Sequence, residues 1–177
     1  MELTNQNQWY MLGQAYLGNR YGDLYIRIYA RWVSQDETNL TSKVQYQAVA
    51  YYNGYDYIYD GGGNGTVSGT SATTSSFNAG FQIPVGETPL ATIEATVSHD
   101  ENTGAASVSA SAYLSYPNFQ WSATASGSAN LPTIDISTLR IGVNGSWKKA
   151  KPYLRVNGAW KQCKAYIGVN NSWKKGV

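Results

Sequence analysis

The sequence predicts an all-β protein, an antiparallel β-sandwich of the Ig-like or jelly-roll-like kind, followed by a C-terminal array of short β-hairpin repeats. Seven or eight segments of residues 1–136 alternate between apolar and polar side chains. A period of two is typical of half-buried strands. Turn-forming residues separate these segments at a spacing of about ten residues, which favours a sandwich. No segment sustains the 3.6-residue period of an amphipathic helix.

The strands are predicted in chain order from this alternation. It is clearest in residues 23–34, where Leu24 and Ile26 occupy one face and polar or aromatic residues occupy the other. In the first strand, Met11 is expected to share the core face with Leu17. The predicted strands cover residues 8–17, 23–34, 43–52, 55–59, 74–83, 90–98, 105–115 and 119–129.

Turn residues predict how the middle strands connect. Asn53 and Gly54 form a typical hairpin turn, so residues 55–59 should return along the strand at 43–52. The glycine-rich residues 61–65 should form a loop, because glycine loses much conformational freedom in a regular element.

The last strands and the end of the sandwich follow from similar signals. The strands at 90–98 and 105–115 should form a hairpin across the turn between them. The sandwich should end near residue 136, because Pro132 interrupts the ladder and the acidic residues cease at Asp135. Many core positions carry Ala or Ser, so the core should be thin.

One motif occurs three times in residues 141–177 at a period of thirteen, as IGVNGSWKKAKPY, LRVNGAWKQCKAY and IGVNNSWKKGV. A fixed period implies a repeated structural unit. The central Asn-Gly, which is Asn-Asn in the third copy, tolerates positive φ, so each copy should be a short hairpin whose Val and Trp form a cross-strand pair beside the turn. Because one hairpin is marginally stable in water, the copies should stack on each other or on a partner. The predicted domains are the sandwich, 1–136, and a basic repeat tail, 137–177.

Charge divides the chain into two oppositely charged parts. Residues 140–177 contain nine Lys and Arg and no Asp or Glu, a net charge of +9. Residues 1–139 contain four basic and eleven acidic residues, a net charge of −7. We expect the tail to contact other surfaces through side chains that recur in its repeats. These candidate contact residues are Trp147, Trp160, Trp173, Lys148, Lys149, Lys161, Lys174 and Lys175.

Several partners fit a basic tail that interleaves Lys with Trp. Phosphate contacts and base stacking would allow nucleic-acid binding. Nucleic acid is nevertheless disfavoured, because the lysines follow each hairpin as regular repeat units and nothing resembles a nucleic-acid module. An anionic cell-wall polymer, a glycan or the acidic face of a neighbouring protein fits better. Self-association is also expected, with a homotrimer first and a dimer second, since three chains could bury nine tail tryptophans around one axis.

A second candidate surface lies on the polar face of the strand at residues 23–34. Tyr25 and Tyr29 share this face with Arg27 and Arg31. An aromatic and polar face of this kind can stack on sugars or on a neighbouring subunit. It can equally be the face that a second sheet buries, and the sequence leaves these alternatives open.

Few residues could support catalysis or bind a metal. His99 is the only histidine and is expected in a turn, so a His-based metal cage or a Ser-His-Asp triad lacks partners. The single cysteine, Cys163, lies in the tail. Asp56 and Asp60 could be the carboxylates of a glycosidase, but a hairpin edge offers no deep cleft. Asp100 begins a calcium-like pattern that lacks the final bidentate Glu. We expect no enzymatic activity, no cofactor and no metal.

From the sequence we expect neither a secretory signal nor a membrane-spanning segment. Its first residues, MELTNQNQ, contain neither the basic nor the apolar region of a secretory signal. No apolar run approaches the ~18 residues of a membrane span. With one cysteine, no disulfide is expected, and synthesis in a reducing cytoplasm follows.

Several motifs resemble those of a known family. They are VSHDENTGAASVSAS at residues 97–111, LPTIDISTL at 131–139, the segments TNLTSKVQ and YYNGYDY, and the VNGxWKxx repeats. In these stretches the chain resembles bacteriophage structural proteins from Gram-positive hosts, which are minor virion proteins associated with tails and receptor-binding assemblies. The resemblance implies a non-enzymatic virion component of the tail, fibre or surface decoration, assembled in the host cytoplasm. A carbohydrate-binding module that recognises cell-wall glycan is the alternative.

Overall fold

The computed structural model confirms an all-β protein. It describes residues 1–19, 21–55, 58–59, 62–80, 82–101, 103–136, 139–150, 153–162, 166–169 and 172–175. No α-helix occurs among these residues, and one short 3₁₀ turn spans Pro117–Phe119. The strands are β1 (Tyr10–Asn19), β2 (Asp23–Asp36), β3 (Thr41–Tyr52), β4 (Ile58–Tyr59), β5 (Gly63–Gly69), β6 (Ser75–Ala79), β7 (Gln82–Ile83), β8 (Gly86–Ser98), β9 (Ser107–Tyr116), β10 (Trp121–Asn130), β11 (Leu139–Val143), β12 (Ser146–Ala150), β13 (Tyr153–Val156), β14 (Ala159–Gln162), β15 (Tyr166–Val169) and β16 (Ser172–Lys175).

Two four-stranded antiparallel sheets form the sandwich. Sheet I has the order β1-β2-β3-β8, and sheet II has the order β10-β9-β5-β6. Their inner faces contribute to a single apolar core. The alternation of residues 23–34 is confirmed, since Leu24, Ile26 and Ile28 are fully buried. Other core positions are alanine, including Ala48, Ala110 and Ala125, which occupy the core together with buried Leu, Ile, Val and Tyr side chains.

The first strand differs from its predicted face. Met11 is exposed, because a β-bulge between Met11 and Gly13 shifts the alternation. The bulge lies where β1 and β10, the edge strands of the two sheets, approach each other closely. A Cβ at Gly13 would lie 2.2 Å from the Ser126 carbonyl oxygen, and one at Gly127 would lie 2.1 Å from the Leu12 carbonyl oxygen. Glycine at positions 13 and 127 therefore allows the backbones of β1 and β10 to approach each other closely.

The glycine-rich segment predicted as a loop is partly a strand. Gly63 begins β5, which pairs with both β6 and β9 inside sheet II. A Cβ at Gly65 would lie 2.2 Å from the Tyr113 carbonyl oxygen and 2.5 Å from the Phe77 ring. Glycine here permits close approach of neighbouring groups, so the loop prediction was wrong for this part of the segment.

Two predicted pairings of the middle strands were wrong. Residues 58–59 form β4, which pairs with β7 and not with β3. Both edges of β3 are already occupied along its length, by β2 and by β8, so no returning strand can pair there. The strand predicted at residues 74–83 is divided into β6 and β7, and β6 pairs with β5.

The predicted hairpin between residues 90–98 and 105–115 is also wrong. The first segment belongs to β8 in sheet I and the second to β9 in sheet II, so the chain crosses from one sheet to the other between them. β8 takes β3 as its partner, while β9 lies between β10 and β5. Alternation identifies both strands but carries no information about which strands pair.

The described part of the tail contains three separate two-stranded sheets, β11-β12, β13-β14 and β15-β16. Asn144, Gly145, Asn157 and Gly158 all have positive φ, as a two-residue type I′ turn requires. The predicted Val–Trp pair is wrong, because a two-residue turn places Val156 opposite Ala159 and Trp160 opposite Arg155. The third turn, at residues 170–171, lies outside the described residues, and stacking of the hairpins stays a prediction.

Residue contacts divide the chain into two compact units. One comprises Met1–Asp100 and Ala105–Ile134, and the other comprises Glu101–Gly104 and Asp135–Val177. The first contains both sheets of the sandwich, and the second contains the three tail hairpins.

Candidate interaction surfaces

A row of tyrosine rings crosses the outer face of sheet I. Tyr16 of β1 lies opposite Tyr25 of β2, and Tyr25 lies opposite Tyr51 of β3. The Tyr16 and Tyr25 ring centroids are 5.6 Å apart in an edge-to-face arrangement, and those of Tyr25 and Tyr51 are 6.2 Å apart. Aromatic pairs favour this geometry because the positive edge of one ring meets the negative face of the other. The row ends at Glu87 of β8.

Arg27 connects this row to its polar neighbours. Its guanidinium carbon lies 3.6 Å from the centroid of the Tyr51 ring, and its Nη1 lies 2.7 Å from Oε1 of Glu87. Its Nε donates a 3.2 Å hydrogen bond to Gln14. The Tyr29 hydroxyl donates to the same Glu87 oxygen. These groups form a polar layer in which each planar side chain is fixed by a neighbour.

The hydrogen bond between Tyr29 and Glu87 shifts the pKa of each group so that Tyr29 stays a neutral phenol and Glu87 stays a carboxylate. Burial, the hydrogen bond to Glu87 and the charge of Glu87 raise the pKa of Tyr29. The Tyr29 hydroxyl, followed by Arg27, lowers the pKa of Glu87. Glu87 is therefore held as a carboxylate acceptor, and this arrangement opposes a role as a general acid.

A second polar row crosses sheet I around Arg31. Its Nε and Nη2 donate to Oε1 of Gln45 at 2.9 and 2.7 Å, and the Gln45 amide donates to Glu94 at 3.0 Å. Arg31 also lies over the Trp9 ring at 4.5 Å, and Lys43 forms a 3.7 Å ion pair with Glu94. Much of the charge on this face is thus compensated locally.

Among the aromatic side chains that the structure describes, the two most exposed lie at the turn end of sheet I. Tyr21 and Tyr55 are 78% and 99% exposed. Tyr21 has φ +61°, a left-handed conformation that bulky residues rarely adopt. Its turn lies against the turn after β3, since a Cβ at Gly22 would lie 2.2 Å from the Gly54 Cα.

The outer face of sheet II has a different chemistry. Serine, threonine and asparagine occupy its outward positions in β5, β9 and β10, and a shallow groove lined by Ser68, Ser111 and Ser126 runs across them. Ser68 and Ser111 hydroxyls are 2.9 Å apart. Tyr113 is the one large aromatic side chain in these outward positions of the three strands. The two faces of the sandwich are therefore aromatic and hydroxyl-rich, respectively.

The predicted surface residues divide into three groups. Tyr25 and Tyr29 lie together on the outer face of sheet I, so the second sheet does not bury them. Trp160 is 68% exposed. The side chains of the remaining predicted residues lie outside what the structure describes: Trp147, Trp173, Lys148, Lys149, Lys161, Lys174 and Lys175. Sequence reasoning missed Tyr16 and Glu87, which only strand pairing brings to Tyr25 and Tyr29.

The structure describes only some of the candidate reactive residues. His99 follows β8 as expected, but its ring is buried and its Nε2 lies 2.8 Å from the Ser42 hydroxyl. Asp56, Asp60 and Cys163 lie outside the described residues. Among the residues that the structure describes, no three His, Cys, Asp or Glu side chains are grouped to hold a metal ion. The same part of the chain contains no helix with the length and hydrophobicity that a bilayer crossing requires.

Comparison of the chain with known protein families, with curated proteins and with solved structures found no match. The resemblance to phage structural proteins therefore rests on the quoted motifs.

Proposed function

We propose that this chain is a non-enzymatic structural protein of a bacteriophage virion, a tail, fibre or surface-decoration component that makes assembly or host-surface contacts. In this proposal the sandwich is the body and the repeat tail is the contact element. The observation that carries it is the middle hairpin, β13-β14, which exposes apolar side chains on both faces. Trp160 and Leu154 are 68% and 60% exposed.

The register places these two side chains on opposite faces. Trp160 pairs with Arg155, and Leu154 pairs with Lys161, one residue farther from the turn. Successive pairs of an antiparallel ladder point to alternate faces. An isolated two-stranded sheet is marginal in water. A middle unit with apolar groups on both faces is therefore suited to stack between two neighbours.

The neighbouring units can come from this chain or from other copies. The tail repeats Trp at the same motif position in all three hairpins, so each copy presents equivalent groups. Three chains would contribute nine tail tryptophans, and a homotrimer could bury them along one axis. We therefore propose self-association through the tail, with a homotrimer favoured and a dimer second.

Charge supports contacts with other surfaces as well. The tail carries +9 and the preceding residues carry −7. Opposite charges on neighbouring subunits attract, and so does a basic tail near an anionic cell-wall polymer. Such exposed contacts are screened over about 8 Å at physiological ionic strength. Both contacts should weaken as the salt concentration rises.

Two measurements test the proposal. Mass spectrometry of purified phage particles should detect the chain as a virion component, and its absence from particles would contradict that role. An adjacent gene for a wall hydrolase would then favour a carbohydrate-binding module.

Binding to immobilised wall teichoic acid tests the tail directly. A variant with five tail lysines replaced by Gln should bind at low salt as weakly as the wild type binds at high salt. The replaced residues are Lys148, Lys149, Lys161, Lys174 and Lys175. Lys43→Gln, an exposed lysine of the sandwich, is the control and should bind like the wild type. Equal binding by the five-lysine variant and the wild type at every salt concentration would show that the tail charge makes no contact.

A further inference from the structure

We propose that the turn end of the outer face of sheet I is a binding platform for a neutral glycan, with Tyr16, Tyr21 and Tyr55 as its contact rings. All three rings are exposed, Tyr16 by 53% and the other two by more. Tyr25 and Tyr51 continue the surface behind Tyr16. Tyr16, Tyr25 and Tyr51 lie on three neighbouring strands and together span roughly 10 Å, because strands lie about 4.8 Å apart. Tyr21 and Tyr55 lie in the turns that follow β1 and β3. The platform lies in the sandwich and does not depend on the virion role.

The backbone that presents Tyr21 is fixed by contacts on both sides. The Asp23 amide donates to Asn53 Oδ1 at 2.6 Å, the Asn53 amide donates to the Asp23 carbonyl at 3.2 Å, and Asn19 donates to the Asp23 carboxylate at 2.7 Å. These bonds hold the β1–β2 turn against the turn after β3. A bulky residue with φ +61° is energetically unfavourable unless its surroundings impose that conformation, and such positions concentrate at binding sites.

The chemistry of the platform fits a sugar better than a protein. Protein interfaces depend on a dry apolar centre with large anchors. Here the aliphatic Val49 is covered, at 2% exposure, and the accessible groups include phenol rings and amides. A pyranose ring presents C–H groups on its faces and hydroxyls around its rim. Aromatic faces attract the former, and amide, hydroxyl and carboxylate groups bind the latter.

The described charges beside the tyrosine row favour a neutral glycan over an anionic one. Among the residues that the structure describes, Arg27 lies over the Tyr51 ring, and it is already paired with Glu87 at 2.7 Å. Asp23 and Glu87 border the same row, and their carboxylates would repel sulfate, phosphate or uronate groups. Anionic polymers are therefore expected at the basic tail, and neutral polymers at this platform.

The test is retention of the full chain on immobilised neutral polysaccharides: a β-glucan, an α-glucan, a galactomannan and a rhamnose polymer, with hyaluronan as the anionic comparison. At least one neutral polymer should retain the wild type equally at about 0.15 M and about 1 M salt, because the contact is uncharged. The double variant Tyr21→Ala/Tyr55→Ala should bind it about tenfold more weakly. Because both rings are exposed, we expect the variant to unfold at the same urea concentration as the wild type. An unchanged midpoint would show that the variant is correctly folded.

Tyr113→Ala is the matched control, since it removes an exposed tyrosine from the outer face of sheet II. It should bind like the wild type. Retention on none of the neutral polymers, or equal weakening by the control, would overturn the proposal. A double variant that keeps full retention would also overturn it. If the double variant instead changes only the mass of the protein in solution, the face is a protein interface and the glycan proposal fails.

Discussion

The sandwich and the tail use the same alternating β pattern with opposite results. In the sandwich, Tyr46 and Tyr52 are fully buried because β3 has a neighbour on each edge and a second sheet against its inner face. In the tail, each described strand has one neighbour, and the Trp160 ring is mostly exposed. Alternation alone therefore does not produce a core, which requires a second layer.

Glycine shows the same contrast. In the sandwich, Gly65 and Gly127 lie where a Cβ would meet neighbouring backbone. In the tail, Gly145 and Gly158 provide the positive φ of a turn, with nothing within 4 Å of an added Cβ. Glycine in the first unit permits close packing, whereas in the second it permits chain reversal.

The largest expected difference is between core and tail aliphatic residues. Ile26→Ala should lower the free energy of unfolding by about 2–5 kcal/mol, because it removes buried methyl groups and leaves a cavity. Leu154→Ala should change the free energy of unfolding of the sandwich by less than about 0.5 kcal/mol, because that side chain belongs to a tail hairpin and is 60% exposed in the single chain. Urea unfolding of both variants provides the measurement. Similar losses would indicate that the tail hairpin is buried against the rest of the protein.

The second prediction tests the glycine contact between the sheet edges. Gly127→Ala should destabilise the sandwich by about 1–3 kcal/mol, because the new methyl group would meet the Leu12 carbonyl oxygen. Gly80→Ala is the control, since the nearest atom to its added Cβ lies 3.9 Å away. The control should be neutral or slightly stabilising. Equal effects in thermal unfolding would contradict the close approach of β1 and β10.

The third prediction concerns the phenol of Tyr46 in the core. Burial raises its pKa to about 12, and its hydroxyl donates a 3.1 Å hydrogen bond to the Thr70 carbonyl. Because the folded pKa exceeds the unfolded one, the contribution to stability is complete below pH 10 and is lost as pH rises through about 12. Tyr46→Phe should remove this part of the alkaline decrease in unfolding free energy. A wild type and variant with the same pH profile would show that Tyr46 does not titrate as a buried group.

A smaller effect is expected at Glu87 on the sheet I surface. Its lowered pKa means that its contribution to stability is present above the unfolded pKa and is lost as pH falls through the folded one. Tyr29→Phe removes the principal cause, so the Glu87 pKa should rise toward its ordinary value of about 4.3. Carboxyl chemical shifts followed by NMR titration measure this directly. No change in the variant would mean that Arg27 alone sets the shift.

The sequence predicts local structure better than pairing. Alternation places Leu24 and Ile26 in the core correctly, because one face of a strand must be buried wherever two sheets pack. Alternation cannot show that β8 and β9 lie in different sheets, because the pattern within one strand carries no information about which strand pairs with it. For the same reason it finds Tyr25 and Tyr29 but not Tyr16 or Glu87. The bulge at Met11 escapes prediction because it depends on a backbone contact with a distant strand.

The central claim is that the tail is a contact element that assembles with other copies. Light scattering of the full chain measures this most directly, with the triple variant Trp147→Ala/Trp160→Ala/Trp173→Ala for comparison. The account predicts a wild-type mass of three times 19.3 kDa and a variant mass of one chain. A dimer would keep the contact role and change only its stoichiometry. A stable wild-type monomer whose tail tryptophan N–H groups are protected from hydrogen exchange would contradict it, because the tail would then fold without a partner.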